Sequence, residues 1–298
     1  MLKNFRVELP LHLMLLPGLV IIIVYSYGPM FGIIMAFQNY FPTLGFTKSP
    51  WVGLDNFTYI LSVPDTMKVF WNTLTIALLK IVAGLIVPLA ASLLLNEVGR
   101  KMFKKSVQSL IYLPHFLSWV IVGGIMIDIL SPSQGIVNQF LGFFGIQPIY
   151  FLGDSRWFRF ILVISNEWKE FGFSTIIYLA ALSGINPSLY EAAVLDGAGR
   201  WRQTWHITFP GMRPIIILMM TLSLGNVLNA GFEQVFVLYS PQVYDTGDIL
   251  DTMVYRIGLV DAQYSLASAV GLMKSAISLV LITTSYWLAY RLANYRIF

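Results

Sequence analysis

Six apolar runs, each near the roughly 20 residues that an α-helix needs to cross a bilayer, constrain this chain more than any other feature. They are about Leu11–Phe37, Val69–Leu95, Leu110–Leu130, Trp157–Ala181, Pro214–Tyr239 and Ala267–Tyr290. Hydrocarbon offers backbone groups no partner, so runs of this length must form helices whose hydrogen bonds are internal. The composition agrees: the chain is 57% hydrophobic and 11% charged, against about 25% charged in an ordinary soluble domain. The expected fold is an all-α membrane protein with six transmembrane helices, residues 1–298 forming a single transmembrane domain. No low-complexity stretch, strong internal repeat or appended soluble domain is expected. The first run follows Lys3 and Arg6, is too long for the core of a signal peptide, and lacks an Ala-x-Ala site before Gln38. It predicts a retained signal-anchor helix.

The distribution of basic residues sets the expected orientation. With the amino terminus inside, the inner segments hold Lys3, Arg6, Arg100, Lys101, Lys104, Lys105, Arg200, Arg202, Arg213, Arg291 and Arg296. The outer segments hold only Lys48, Lys68, Arg156, Arg159 and Arg256. This bias predicts both termini in the cytoplasm. It also accounts for the net charge of +4 without a nucleic-acid partner. Lys80, Lys169 and Lys274 remain within spans, and the outer loops carry Asp55, Asp65, Asp154, Asp245, Asp248, Asp251 and Asp261.

Several chemistries are excluded. The chain has no cysteine, so disulfides, thiolate metal sites and cysteine nucleophiles are out together. It has no GxxxxGK[ST] loop for nucleotide phosphates. His12, His115 and His206 are its only histidines and do not have zinc-site spacing. Gly172-Phe173-Ser174-Thr175 faintly matches an intramembrane serine nucleophile, but no histidine base follows in a later span. No enzyme activity, metal or resident cofactor is expected.

Between the fourth and fifth runs, residues 184–213 are polar and punctuated by Gly and Pro, and they predict an aqueous helix–turn–helix. The first helix begins either with Ser188 and Glu191 in capping-box spacing or with Asn186 followed by Pro187. Gly197 and Gly199 break it, Trp201 to Ile207 supplies a second piece, and Pro210 and Pro214 lead into the next span.

Glu191-Ala192-Ala193, Gly197, and after nine residues Ile207-Thr208-Phe209-Pro210 resemble the EAA signature of permease subunits of binding-protein-dependent ABC importers. The departure is Phe209 in place of the usual leucine. Trp168-Lys169-Glu170, Tyr178 to Leu182 and Tyr190 to Ala193 resemble the carbohydrate branch. Gly231 to Phe236 and Tyr244-Asp245-Thr246 are similar to permeases for oligosaccharides released from polysaccharides, aldouronates included. The resemblance implies a type I importer: a second permease in a heterodimer, two cytoplasmic ATPase subunits that bind ATP and Mg, and an extracytoplasmic sugar-binding protein. It implies that Glu191 to Asp196 is a cytoplasmic coupling helix docked on the ATPase, with Glu191, Ala192, Ala193, Asp196, Gly197, Ile207 and Pro210 as the docking residues. A rigid helix transmits a push that a flexible linker would dissipate.

Polar residues within spans are costly and face a cavity or a partner. Asn226, Asn229 and Glu233 fall at i, i+3 and i+7, so they are expected on one helical face of the fifth span. Glu167, Glu170, Ser174 and Tyr178 form a similar stripe in the fourth, with Trp168 and Lys169 beside it. These groups suit a sugar, which takes hydrogen bonds and aromatic faces. They equally suit buried contacts to a partner helix. Lys169 needs an anion: Glu167, Glu170, Glu233, or a carboxylate on the cargo. Adjacent helix positions do not face each other, which points away from Glu170. A second functional reading of the same carboxylates is half of an ion-coupled secondary transporter.

Overall fold

A computed structural model describes the backbone of residues 2–293; Arg296, counted above on the inner side, lies outside the described residues. Secondary structure is helical apart from an isolated antiparallel bridge between Gln38 and Trp51. In order the α-helices are α1 Leu2–Ile22, α2 Gly45–Lys48, α3 Asp55–Ser62, α4 Pro64–Glu97, α5 Lys101–Tyr112, α6 Trp119–Leu130, α7 Ile136–Gly142 and α8 Ser155–Ser183. There follow α9 Pro187–Leu195, α10 Arg200–Gln203, α11 Phe209–Gly225, α12 Phe232–Leu238, α13 Tyr244–Gly247, α14 Leu250–Tyr255 and α15 Tyr264–Ala293. The chain divides into two compact units. One comprises the residues up to Pro64 with Val254–Met273; the other comprises Asp65–Met253 with the chain from Lys274 onward.

In the first unit α1 continues through a π-helical turn and a 3-10 segment to Phe37, so that Leu9–Phe37 is one apolar rod. Its apolar side chains are almost all exposed, as a helix facing lipid should be. The Asn56 amide donates to the carbonyls of Ala36 and Gln38 (2.9 and 3.0 Å), and the Tyr40 amide donates to Ser265 Oγ at 2.8 Å. The two Asn56 bonds fold the loop after the rod back on itself, and the third ties it to the start of α15.

The second unit is built around α4 and α8. Arg159 donates to Asn72 at 2.7 Å in the N-terminal part of each helix, and Thr175 donates to the Pro88 carbonyl at 3.4 Å sixteen positions later on each. Two contacts at equal spacing mean parallel helices in constant register over about 24 Å. Ile76, Phe158, Leu162, Val235 and Ile249 are fully buried in the main core; a second cluster holds Tyr178, Leu182 and Met212. Asp154 caps α8 by accepting from the Arg156 amide at 2.9 Å. The Arg156 side chain beside it holds the Asp154 carboxyl below its ordinary range.

Four described helices are long and apolar enough to cross a membrane: Leu9–Phe37, Pro64–Glu97, Arg200–Gly225 and Tyr264–Trp287. A fifth span results if the bent pair Lys101–Phe116 and Trp119–Leu130 is one crossing. The chain is thus a multi-pass helical membrane protein. Two expected spans depart from continuous helices. The third bends by 104°, because Leu117 is extended and Ser118 starts a new helix, its Oγ accepting from the Ile121 amide. The fifth stops at Gly225, and α12 restarts only after Gly231, whose φ of 89° is a left-handed conformation that favours glycine. The fourth, α8, has 29 residues, ample length, but Glu167, Lys169 and Glu170 in its middle make it less apolar than the others.

Candidate functional site

Two places in the second unit carry the residues singled out by sequence. The first is the segment around α9. Asn186 caps this helix, its Oδ1 accepting from the Ser188 amide at 3.0 Å, with Pro187 in the first turn. Of the two starts open from sequence this is the one formed, and Glu191 lies beyond the turn where a capping-box carboxylate would sit. Glu191 and Ala192 are exposed and Ala193 is half-buried. Asp196 is the C-cap. Gly197, at φ 74°, donates to the Val194 carbonyl (3.0 Å), and Ala198 donates to the Ala193 carbonyl (2.8 Å). Those two bonds are the Schellman closure, and they require the left-handed glycine.

The second helical piece is not separate. Arg200 through Gly225 is one continuous rod, in which a π-helical turn, Thr204–Thr208, holds Ile207 half-buried just ahead of Pro210. Pro210 has no amide to donate back along the helix, and the wider turn before it absorbs that break: Phe209 donates five residues back, to Thr204. Tyr190 bonds Thr208 across the hairpin at 2.9 Å, and Arg200 pairs with Glu97 at the end of α4 at 2.7 Å. Between them lies a cavity of about 660 Å³ lined by Leu94, Leu182, Tyr190 and Trp201 among others. Leu189, Val194, Leu195, Trp201 and Trp205 are exposed around the hairpin. The hairpin is thus tethered at two points and carries a group of apolar side chains outward.

The second place is the middle of α8. Lys169 is buried; its ammonium donates to Glu170 Oε1 and to the His115 carbonyl, each at 2.9 Å, and sits 5.6 Å from the centre of the Trp119 ring. Glu170 Oε2 meets His115 Nδ1 at 2.7 Å, and the His115 ring stacks on Phe173 at 4.2 Å. Glu170 is therefore the anion of Lys169, contrary to the adjacency argument. Neighbouring side chains on a helix diverge, but both bend toward His115, which the break between α5 and α6 brings alongside. Gly172 makes that approach feasible: a Cβ there would strike the backbone carbonyl of Ile111. The faint Gly172–Thr175 nucleophile motif is thus a packing surface.

Glu167 stands apart from this cluster. It is buried against α4 near Gly84, takes a weak bond from the Asn166 amide at 3.4 Å, and its Oε2 has no hydrogen-bond partner. Trp168 is 38% exposed on the other side of α8. Asn226, Asn229 and Glu233 are all exposed, but they do not form one helical face. Asn226 is the C-cap of α11, Asn229 lies in the unwound segment, and Glu233 belongs to the first turn of α12. The i, i+3, i+7 pattern fails because Gly225-Asn226 and Gly231 end one helix and start another. His115, Trp119 and Gln234 belong to no expected stripe, since each is recruited by a chain break that hydrophobic periodicity does not register. Among the described residues no group of three or more His, Asp or Glu could hold a metal.

Known proteins resemble the chain over nearly its whole length. The polygalacturonan/rhamnogalacturonan transport system permease protein YteP of Bacillus subtilis (strain 168) is 43% identical over 279 residues, 94% of this chain and 87% of that one. The arabinooligosaccharides transport system permease protein AraP of Halalkalibacterium halodurans is 27% identical, covering 93% of this chain and 86% of the relative. A crystal structure of a bacterial ABC transporter involved in import of the acidic polysaccharide alginate contains a chain 39% identical to this one. It superposes with a TM-score of 0.90 over 97% of this chain and 98% of its own. Residues 80–294 match the family described as binding-protein-dependent transport system inner membrane component, and the chain belongs to that family, as a membrane permease subunit of an ABC importer.

Proposed function

We propose that the chain carries an acidic, uronate-containing oligosaccharide across a bacterial plasma membrane, as one of two unlike permease subunits. The observation that carries this reading is the 39% identity and near-complete superposition with the alginate importer chain, joined by the polygalacturonan-type relative. An external binding protein delivers the sugar, and two cytoplasmic ATPases supply the energy by binding ATP and Mg. Glu191, Ala192, Ala193, Asp196, Gly197, Ile207 and Pro210 form the ATPase-docking segment within the coupling loop 184–213. The exposed apolar side chains around α9 support this.

Six spans are proposed: Leu9–Phe37, α4, the bent pair α5 and α6, α8, α11 with α12, and α15. The constant register of α8 against α4 supports counting α8 as a crossing despite its charges. The coupling loop then lies between the fourth and fifth spans, and both termini lie on its cytoplasmic side. Family membership leaves no place for an ion-coupled carrier.

The cargo path takes exposed Trp168, Asn226, Asn229 and Glu233 as facing groups, with Glu167, Lys169 and Glu170 behind them. A uronate reaching Lys169 competes with Glu170 for the ammonium, and His115 retains the released carboxylate. Uptake by the assembled importer tests this. Lys169→Met is expected to lower uptake of uronate oligosaccharides about tenfold or more, the loss of one buried charge-assisted bond, and to spare a transported neutral sugar of equal length. Equal loss for both sugars would make the pair structural and refute the charge role.

A further inference from the structure

We propose that Lys80 is a positioning residue for translocation: its ammonium pins the unwound segment between α11 and α12 in the shape that turns Asn226 and Asn229 outward. The inference rests on the reading that this segment lines the cargo path. Where a helix breaks inside a bilayer its carbonyls lose their donors, and each one left unsatisfied is costly. The first bond of α12 runs from the Val235 amide to the Gly231 carbonyl at 3.1 Å, so the Ala230 carbonyl falls just before the helical ladder. Lys80 Nζ donates to that carbonyl at 2.6 Å and also to Gln234 Oε1. The Gln234 amide nitrogen in turn donates to the Leu162 carbonyl and to Ser165 Oγ, both at 2.7 Å. One ammonium thus ties α4, α8 and the start of α12 together at the break.

Two further observations show that the arrangement is built for this side chain. Gly231 combines its positive φ with a close approach: a Cβ there would lie 3.0 Å from Lys80 Nζ. Glu167 places its carboxyl group against Gly84, one turn along α4 from Lys80, so a second polar side chain of α8 faces the same stretch of α4. A buried ammonium in a membrane helix is costly, and Met would fill similar space without that cost. What Met lacks is the donor. The pinned segment sorts its side chains: Val227, Leu228 and Ala230 are buried, whereas Asn226 and Asn229 are exposed.

The chain has no cysteine, so the single substitutions Asn229→Cys and Ala230→Cys report the segment directly in membrane vesicles holding the assembled importer. With Lys80 present, a water-soluble maleimide is expected to label the thiol at position 229 and to leave the thiol at position 230 protected. Lys80→Met is expected to raise labelling at position 230 roughly tenfold, as a local opening does, and to raise the KM for oligosaccharide with subunit composition unchanged. Gln234→Leu, which takes away the side chain that moors the Lys80 ammonium to α8, is expected to give the same two changes, and it decides the question if Lys80→Met does not assemble. Position 230 protected in both variants, or labelled with KM unchanged, overturns the proposal. A parent importer that takes up no oligosaccharide, with position 230 still unmasked in the variants, refutes the functional reading and leaves the pin standing.

Discussion

At the scale of single residues, Gly197 ends α9 through its backbone geometry. Its left-handed φ closes α9 and lets the Ala198 amide reach back to the Ala193 carbonyl, which fixes the direction in which the chain leaves α9. A Cβ there would meet nothing within 4 Å, so the position is constrained by conformation and not by space. Gly197→Val should cost the hairpin roughly 1–2 kcal/mol of left-handed strain while the protein inserts normally. The expected outcome is loss of substrate-stimulated ATP hydrolysis in the assembled complex, with the basal rate retained. Substrate stimulation at the parent level would show that the turn does not carry the coupling.

At the scale of elements, what matters is how α8 receives its neighbours. Gly172 admits the backbone of α5, and that approach delivers His115 to Lys169 and Glu170. Gly172→Leu should destabilise the α5–α8 contact by about 1–3 kcal/mol, the usual cost of overpacking. It would be read as a lower midpoint for detergent-solubilised protein, together with lost protection of a cysteine placed at Ile111. An unchanged midpoint would mean that the helices separate there at no cost. The same elements show what sequence could and could not reveal. Hydrophobic run lengths located every helix later proposed as a span, and Gly197 with Pro210 marked the hairpin. The turn-prone string Gly225-Asn226, Asn229, Gly231 also signalled the break in the fifth span, but the apolar residues around it dominate a periodicity count. The pairing of Lys169 with Glu170 was hidden for a different reason. Its third member, His115, is 54 positions from Lys169 in sequence and arrives only through the bend at Leu117.

At the scale of the whole molecule, the polar groups of the second unit lie in ordered places along parallel α4 and α8. Asn72 and Arg159 mark one end of these helices, Lys80 and Lys169 lie within them, and Arg200 pairs with Glu97 at the other. In the proposed orientation the Lys- and Arg-rich Arg200 end faces the cytoplasm. Arg200 and Gln242 are both exposed, so single cysteines replacing them in the cysteine-free chain should behave oppositely toward an impermeant thiol reagent applied to intact cells. Position 242 should be labelled from outside, and position 200 only after permeabilisation; the reverse pattern would invert the topology. The central claim, that this permease moves an acidic oligosaccharide by ATP hydrolysis on partner subunits, is tested most directly in proteoliposomes. The chain is reconstituted with its partner permease and ATPases, binding protein and a labelled uronate oligosaccharide are supplied on one side, and ATP on the other. Accumulation that requires both ATP and binding protein is the expected result; uptake that follows an ion gradient and ignores ATP would contradict it.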